Sequence, residues 1–342
     1  MPHPQNTLSS YLTPRRFFVT LGSLTFILIA ASLVSLFFGG VPLHWKAALS
    51  QVGSPDYDIF FYSRLPRVLL GIVVGFALSS GGVAFQSLLR NPLADPYILG
   101  VSGGAALGSV VAISLQLPFA SVPFIAFIAA FLTLILIYWV ARKDGRLPVH
   151  GLLLTGVIFN AFSFALIMFL NSVVSFEQAH RIWYLMIGSL ESESYFKIAI
   201  VSALVFIGFI LLFLNASKMN LMAMGDENAQ YLGIDTDKFR KIIFFASSLM
   251  IGATVSLSGL IGFIGLFIPH MVRLSLGSDH RLLLPASALF GASFLVLADL
   301  AARTLLSGAD YQTQVPVGVI TALFGGPFFV YLIKRPRGGR LW

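Results

Sequence analysis

The sequence contains no cysteine and few charged residues. Of its 342 residues, 11% are Asp, Glu, Lys or Arg, against roughly 25% in an average soluble domain. The missing cysteines exclude a disulfide framework, a thiolate zinc site, an iron–sulfur cluster and a cysteine nucleophile. Apolar side chains make up 57% of the chain, and its mean hydropathy is +0.88. These proportions predict a polytopic membrane protein.

Stretches without Asp, Glu, Lys or Arg give the number of membrane crossings, because about 20 apolar residues span a hydrocarbon core of about 30 Å. Two of these stretches are long enough to contain a second helix. Gln116, Pro118, Ser121 and Pro123 supply the turn in one, and the other breaks near 258–262. We therefore predict an all-α protein of about ten transmembrane helices, with a single domain over residues 1–342. The stretches are 17–43, 68–89, 96–141, 147–176, 198–217, 242–272, 282–298 and 311–333.

The Lys and Arg residues predict the orientation of these helices. An even number of crossings places both termini on one side of the membrane. In this arrangement only six of the 22 basic residues lie on the opposite side, so the positive-inside rule makes the termini cytoplasmic. The net charge of +8 is thereby explained by topology, and no basic cluster indicates a nucleic-acid partner. The six residues are Lys46, Arg64, Arg67, Arg181, Lys197 and Arg303.

No phosphate-binding Gly-x-x-x-x-Gly-Lys-Ser/Thr loop occurs in the sequence. Uphill transport would therefore need an ion gradient or a separate ATPase chain. Asp299 and Arg303 form the one candidate pair for ion coupling near mid-membrane. Their spacing of four residues, near a helix end, favours a structural ion pair instead. An ion-coupled secondary transporter stays open at this point.

A second alternative is an intramembrane serine protease. Gly100 to Gly104 matches the Gly-x-Ser-x-Gly pattern around Ser102, and His150 and His270 lie on other segments. The pattern is short, and the strand-to-helix turn that such a nucleophile needs is not predicted here. The sequence also lacks a His-Glu-x-x-His zinc motif and paired intramembrane carboxylates. We predict no catalytic residue and no metal site.

The longest cytoplasmic interruption covers 218–241 and reads KMNLMAMGDENAQYLGIDTDKFRK. Its apolar residues alternate with charges, which favours docking onto a cytoplasmic partner over an amphipathic helix on the lipid surface. On the outer side, Arg64 and Arg67 begin the second span, where they bind lipid headgroups or a partner. The outer segment 177–193 is predicted to hold a short helix.

Several long motifs resemble a known family. RLPRVLLGIVVGFALSSGGVAFQSLLRNPLADPYILGVSGGAALG, at 64–108, is similar to the permease subunits of type II ABC importers for iron-siderophores, haem and cobalamin. In the second half the resemblance continues in GDENAQYLGI at 225–234, LIGFIGLFIPHMVRL at 260–274, DHRLLLP at 279–285, ADLAAR at 298–303 and PVGVITALFGGPFF at 316–329.

The resemblance implies a type II permease fold in the inner membrane of a bacterium. Such a subunit pairs with a second copy of itself, or with a close relative, to enclose the transport path. Two ATP-binding subunits, which hold ATP and Mg, bind its cytoplasmic face, and an extracytoplasmic substrate-binding protein delivers the substrate. No cofactor is implied for this chain. An iron chelate, either a siderophore or haem, is the expected substrate, with cobalamin as the alternative.

The resemblance also implies roles for particular residues. Binding-protein docking maps onto Arg64, Arg67 and Arg303. The cytoplasmic gate maps onto Val149 and His150, where relatives often carry small hydroxyl residues. We expect Gly233 to end a coupling helix with a backbone that a side chain disfavours. The residues that contact the ATPase map onto Met219, Leu221, Met222, Gly225, Asp226, Leu232 and Gly233.

Overall fold

The computed structural model describes residues 12–143, 145–305 and 314–334, with side chains as far as Tyr331. All of the named secondary structure in these residues is helical. The beginning of the predicted span 311–333 lies outside the described residues, as do the ends of the predicted 1–342 domain. Arg335, Arg337 and Arg340, which the positive-inside assignment used, also lie outside them.

Within the described residues, ten apolar helices follow one another, as predicted. Seven are long and apolar enough to cross a membrane, and three are shorter. We name them α1 (Pro14–Phe37), α2 (Leu65–Leu89), α3 (Val101–Ser114), α4 (Val122–Ala141), α5 (Val149–Val173), α6 (Tyr195–Leu214), α7 (Thr236–Ser258), α8 (Ile264–Leu276), α9 (His280–Thr304) and α10 (Val317–Lys334).

Both long apolar stretches break where the sequence predicted. α3 and α4 are separated at Leu115–Ser121, where Gln116 adopts a φ of +55°. α7 ends before Gly259, whose φ is +64°, and α8 begins after Phe263, whose φ is +70°. The second span starts earlier than predicted, since a short helix at Pro55–Asp58 and a π-helix at Ile59–Arg64 run directly into α2.

α2 lies at the centre of the bundle and is buried on almost every side. Two glycines allow the backbones of its neighbours to come close. A methyl group on Gly75 would overlap the carbonyl oxygen of Gly291 in α9, and one on Gly82 would overlap that of Gly265 in α8. Small residues of this kind drive helix association in lipid, where water supplies no hydrophobic force.

α1 and α5 lie at the periphery of the chain. Ala31 and Ser35 are the buried residues of α1, and both ends of that helix are exposed. In α5, only 22% of the most apolar 18-residue stretch is buried. Large side chains such as Leu154, Val157 and Ile158 are exposed. Within the single chain, α5 therefore leaves a long apolar face uncovered.

Three short helices complete the parts of the fold that matter for function. Phe176–Ile187 forms the predicted outer helix, which begins with a capping box between Ser175 and Gln178. The polar interruption at 218–241 folds into helices at Ala216–Met222 and Asp226–Tyr231. We call residues 216–234 the coupling segment.

The contact between α2 and α9 predicts a specific sensitivity. Gly75→Ala should destabilise the purified protein by about 1–3 kcal/mol, because the new methyl group forces the two backbones apart. Gly22→Ala in α1 is the matched control, since nothing lies within 4 Å of a methyl group at that position. Thermal unfolding in detergent measures both variants. Equal melting temperatures for Gly75→Ala and wild type would contradict close packing at this contact.

Candidate functional site

Arg64 is buried at the outer end of the bundle. Its side chain is 4% exposed, and its guanidinium donates hydrogen bonds to the carbonyl oxygens of Leu36 at 2.8 Å, Phe37 at 3.2 Å and Val41. These carbonyls belong to the end of α1 and the residues just after it, where the last turn lacks intrahelical donors. The exposed position expected for Arg64 is therefore wrong, because its side chain is buried against the end of α1.

A second cluster joins α2 to α9 beside Arg64. Asp299 accepts a hydrogen bond from Nε of Arg67 at 2.9 Å and forms an ion pair with Nε of Arg303 at 3.0 Å. Arg67 also donates to Gln314 at 2.6 Å, and Arg303 donates to the hydroxyl of Ser35 at 2.7 Å. The side chains of Arg67, Asp299 and Arg303 are 11%, 2% and 7% exposed.

The predicted ion pair of Asp299 with Arg303 is thus confirmed, and Arg67 joins it. In this cluster, two guanidinium groups share one carboxylate. A positive charge is left over next to Arg64, which is itself bonded only to neutral carbonyl oxygens among the described residues. Because buried charges require compensation, the cluster favours an acidic partner at this end of the molecule.

The coupling segment has an inner and an outer face. Met219 and Met222, predicted to contact the ATPase, are 0% and 4% exposed and pack in the core. Leu232 is 59% exposed, beside Met224 at 60% and Tyr231 at 89%. The apolar surface available to a partner thus consists of Met224, Tyr231 and Leu232. Tyr231 was not among the predicted contacts, although its place in the polar interruption was a usable signal.

Asp226 connects the coupling segment to two transmembrane helices. It forms ion pairs with Arg90, at the end of α2, and with Arg240 in α7. The carboxylate stands at the first position of its short helix, where the free backbone amides favour a negative charge. Asp226 therefore joins three elements, while its side chain stays 36% exposed.

A second connection leads from the coupling segment to α9. Nδ2 of Asn220 donates to Asp279 at 2.9 Å, and Oδ1 of Asn220 accepts from the backbone amide of His280, also at 2.9 Å. Asp279 caps α9 and is bonded by Arg281. Hydrogen bonds from Arg281 and Asn220 lower the pKa of Asp279 to about 2, so this carboxylate is ionised at physiological pH.

Gly225 and Gly233 enclose the second helix of the coupling segment. Gly233 adopts a φ of +82°, as predicted, and Gly225 a φ of +111°. The amide of Gly233 donates to Gln230, and that of Ile234 donates to Ala229, which is the Schellman pattern for a helix end. Leu221, another predicted contact, is half-buried between the two faces.

The predicted gate residues lie at the first turn of α5. Val149 is half-buried against the core, and His150 is exposed. The turn before them is attached to α7, because the amide of Leu147 donates to Asp237 at 2.7 Å. The loop before α5 is thus connected to the first turn of α7.

A comparison with known protein families identifies a family for this arrangement of helices. Residues 27–335 match the model of the FecCD transport family. The chain belongs to the FecCD family. It is 38% identical over 328 residues to the hemin transport system permease protein HmuU of Yersinia pestis, covering 94% of this chain and 96% of that one. It is 41% identical over 305 residues to the cobalamin import system permease protein BtuC of Halobacterium salinarum, covering 86% and 80%.

A solved structure supports the same assignment. It shows a metal-chelate type ABC transporter in an inward-facing conformation and superimposes with a TM-score of 0.81 at 29% identity, covering 92% of this chain and 98% of that one. The FecCD chain is accordingly a multi-pass permease of an ABC importer, a transport component and not an enzyme.

The protease alternative finds no support in the FecCD chain. His270 has no hydrogen-bond partner at either ring nitrogen in the described part of the sequence, and so makes none with Ser102. His150 is exposed in the first turn of α5. No group of three or more His, Cys, Asp or Glu residues that could hold a metal occurs within the described ranges.

The arginine cluster predicts a large effect of one substitution. Asp299→Ala should destabilise the FecCD chain by about 3–5 kcal/mol, because it leaves Arg67 and Arg303 buried without a counter-charge. Glu177→Ala is the control, since it removes the exposed ion pair with Arg181, which is worth about 0–1 kcal/mol. Thermal unfolding in detergent separates the two. Similar melting temperatures for both variants would show that the Asp299 cluster is not a buried ion network.

Proposed function

We propose that this FecCD chain is the inner-membrane permease of a metal-chelate importer, and that its substrate is an iron chelate, either haem or an iron-siderophore. The relationship to a hemin permease and to a metal-chelate type transporter supports this substrate class. The relationship to a cobalamin permease keeps cobalamin as the alternative. ATP hydrolysis takes place in separate ATP-binding subunits.

The coupling segment supports the proposal most strongly, because it combines an exposed apolar patch with bonds to three transmembrane helices. Its apolar patch of Met224, Tyr231 and Leu232 is exposed, while its inner side is attached to α2, α7 and α9. An ATPase that docks on the patch therefore moves the central helices directly. A segment that only lay on the lipid surface would not need ion pairs and hydrogen bonds to three transmembrane helices.

The outer arginines are the proposed docking site of the binding protein. Arg67 and Arg303 share Asp299, so carboxylates from a partner would supply the compensation that the described residues lack. Arg64 contributes positive potential from its buried position and holds the end of α1 in place. Charge complementarity of this kind mainly accelerates encounter and fixes register.

The uncovered face of α5 is the proposed contact with a second copy of the chain. Its exposed side chains are apolar, and the predicted gate residues Val149 and His150 stand at its cytoplasmic end. Two copies facing each other through α5 would place both gates beside a shared path. The distribution of basic residues supports a cytoplasmic position for both termini.

Uptake into proteoliposomes tests the proposal. The complex is purified through a tag on this chain, reconstituted with ATP inside the vesicles, and offered haemin, ferric citrate or cyanocobalamin with the binding protein outside. We expect ATP-dependent accumulation of an iron chelate and none with a hydrolysis-deficient ATPase subunit. Accumulation of cyanocobalamin alone would show that the substrate is cobalamin and not an iron chelate. Uptake that follows a proton or sodium gradient without ATP would contradict the proposed function.

A further inference from the structure

A cavity of about 200 Å³ opens midway along α5. It lies between the first turn of α3, the middle of α5 and the end of the outer helix. Asn160, near the centre of Val149–Val173, lies on its wall together with Ser163, Phe164 and Met186. Nothing in its described lining carries a charge. The cavity is therefore a neutral recess on the helix that also carries the predicted gate.

The first turn of α3 brings unused backbone donors to this cavity. The chain turns at Gly100, with a φ of +86°, and α3 begins at the next residue. The amides of Val101, Ser102 and Gly103 have no backbone acceptor in the described residues, as expected for a first helical turn. Ser102 and Gly103 line the cavity. The positive end of a fourteen-residue helix thus faces it.

Ser163 supplies a second and independent indication of a ligand. Its side chain is 0% exposed and lines the same cavity, and its hydroxyl has no hydrogen-bond partner in the described structure. Buried hydroxyl groups are normally paired, so an unpaired one requires an explanation. Asn160 is already in use, because its Nδ2 donates to the carbonyl oxygen of Tyr97 at 2.8 Å. Ser163 thus brings a hydroxyl without a partner in the described structure to the wall of this cavity.

We propose that this cavity is a transient binding site for an anionic oxygen of the transported chelate, such as a carboxylate, held by the hydroxyls of Ser102 and Ser163 and by the positive end of α3. The inference rests on the proposed transport function and names the chemistry of its substrate. With hydroxyl and amide donors but no cationic side chain, the site binds an anion weakly enough for onward movement. It favours carboxylate-bearing iron chelates over amide-bearing cobalamin.

The cysteine-free sequence allows a direct test of the charge preference. Ser163→Cys is reconstituted as the full chain in nanodiscs, and its alkylthiolation is timed with a sulfonate-bearing and a trimethylammonium-bearing methanethiosulfonate. Ser172→Cys, exposed on the same helix, is the control. A lowered thiol pKa accelerates both reagents, so the ratio of the two rates reports the local potential. The ratio is the rate with the anionic reagent divided by the rate with the cationic reagent. We expect it to be at least about three-fold higher in the Ser163→Cys variant than in the Ser172→Cys control.

Excess citrate should also slow modification of the Ser163→Cys variant, whereas the corresponding neutral triamide should not. Equal ratios in the two cysteine variants, a preference for the cationic reagent, or no modification of the thiol at position 163 would each overturn the proposal.

Transport provides a second readout of the same site. Ser163→Ala should lower uptake of the iron chelate and leave the melting temperature unchanged, because the lost hydroxyl has no partner within the described chain. Ser287→Ala, which alters another fully buried serine without a partner in the described structure, should leave uptake unchanged. Equal uptake by Ser163→Ala and wild type would likewise overturn the proposal.

The proposed transport function and the proposed anion site are tested by different results. Absence of ATP-driven uptake by the wild-type complex would remove the proposed function. The relative rates of modification in the Ser163→Cys variant would still decide whether the cavity attracts anions.

Discussion

The structure depends on the close packing of α2 against its neighbours. Gly75 and Gly82 allow the backbones of α9 and α8 to approach, and this contact buries α2 along almost its whole length. In hydrocarbon, irregular backbone is tolerated only where the protein itself supplies hydrogen bonds. The breaks beside α3 and α8 satisfy this condition, because the hydroxyl of Tyr97 donates to the carbonyl oxygen of Ile261 at 2.9 Å. This hydrogen bond joins the two breaks to each other.

The few charged residues of the membrane region attach both ends of the molecule to this core. At the outer end, Asp299 joins α9 to α2 through Arg67. At the cytoplasmic end, Asp226 joins the coupling segment to α2 and α7. The exposed ion pair with Arg90 is weak by itself, and the burial of Met219 and Met222 adds the apolar contact that keeps the segment in place. The same central helices thus receive both the outer and the cytoplasmic partner in the proposed mechanism.

The sequence predicted the features that depend on composition along the chain. The ten apolar helices, the two broken stretches, the pair of Asp299 with Arg303 and the left-handed Gly233 could all be predicted, because each follows from local chemistry. The position of Arg64 could not, since its partners are carbonyls at the end of a helix some 27 residues earlier. The inward orientation of Met219 and Met222 was missed for the same reason, because an alternating polar segment does not reveal which face packs.

The central claim is that the coupling segment and α2 move as one body while the gate at α5 moves relative to them. Distances between spin labels in the reconstituted complex test it, since the chain has no cysteine of its own. One pair joins Met224→Cys to Leu93→Cys, just after α2, and a second pair joins Met224→Cys to His150→Cys. We predict that ATP binding leaves the first distance distribution unchanged and shifts the second. An equally large shift in the first pair would contradict the account.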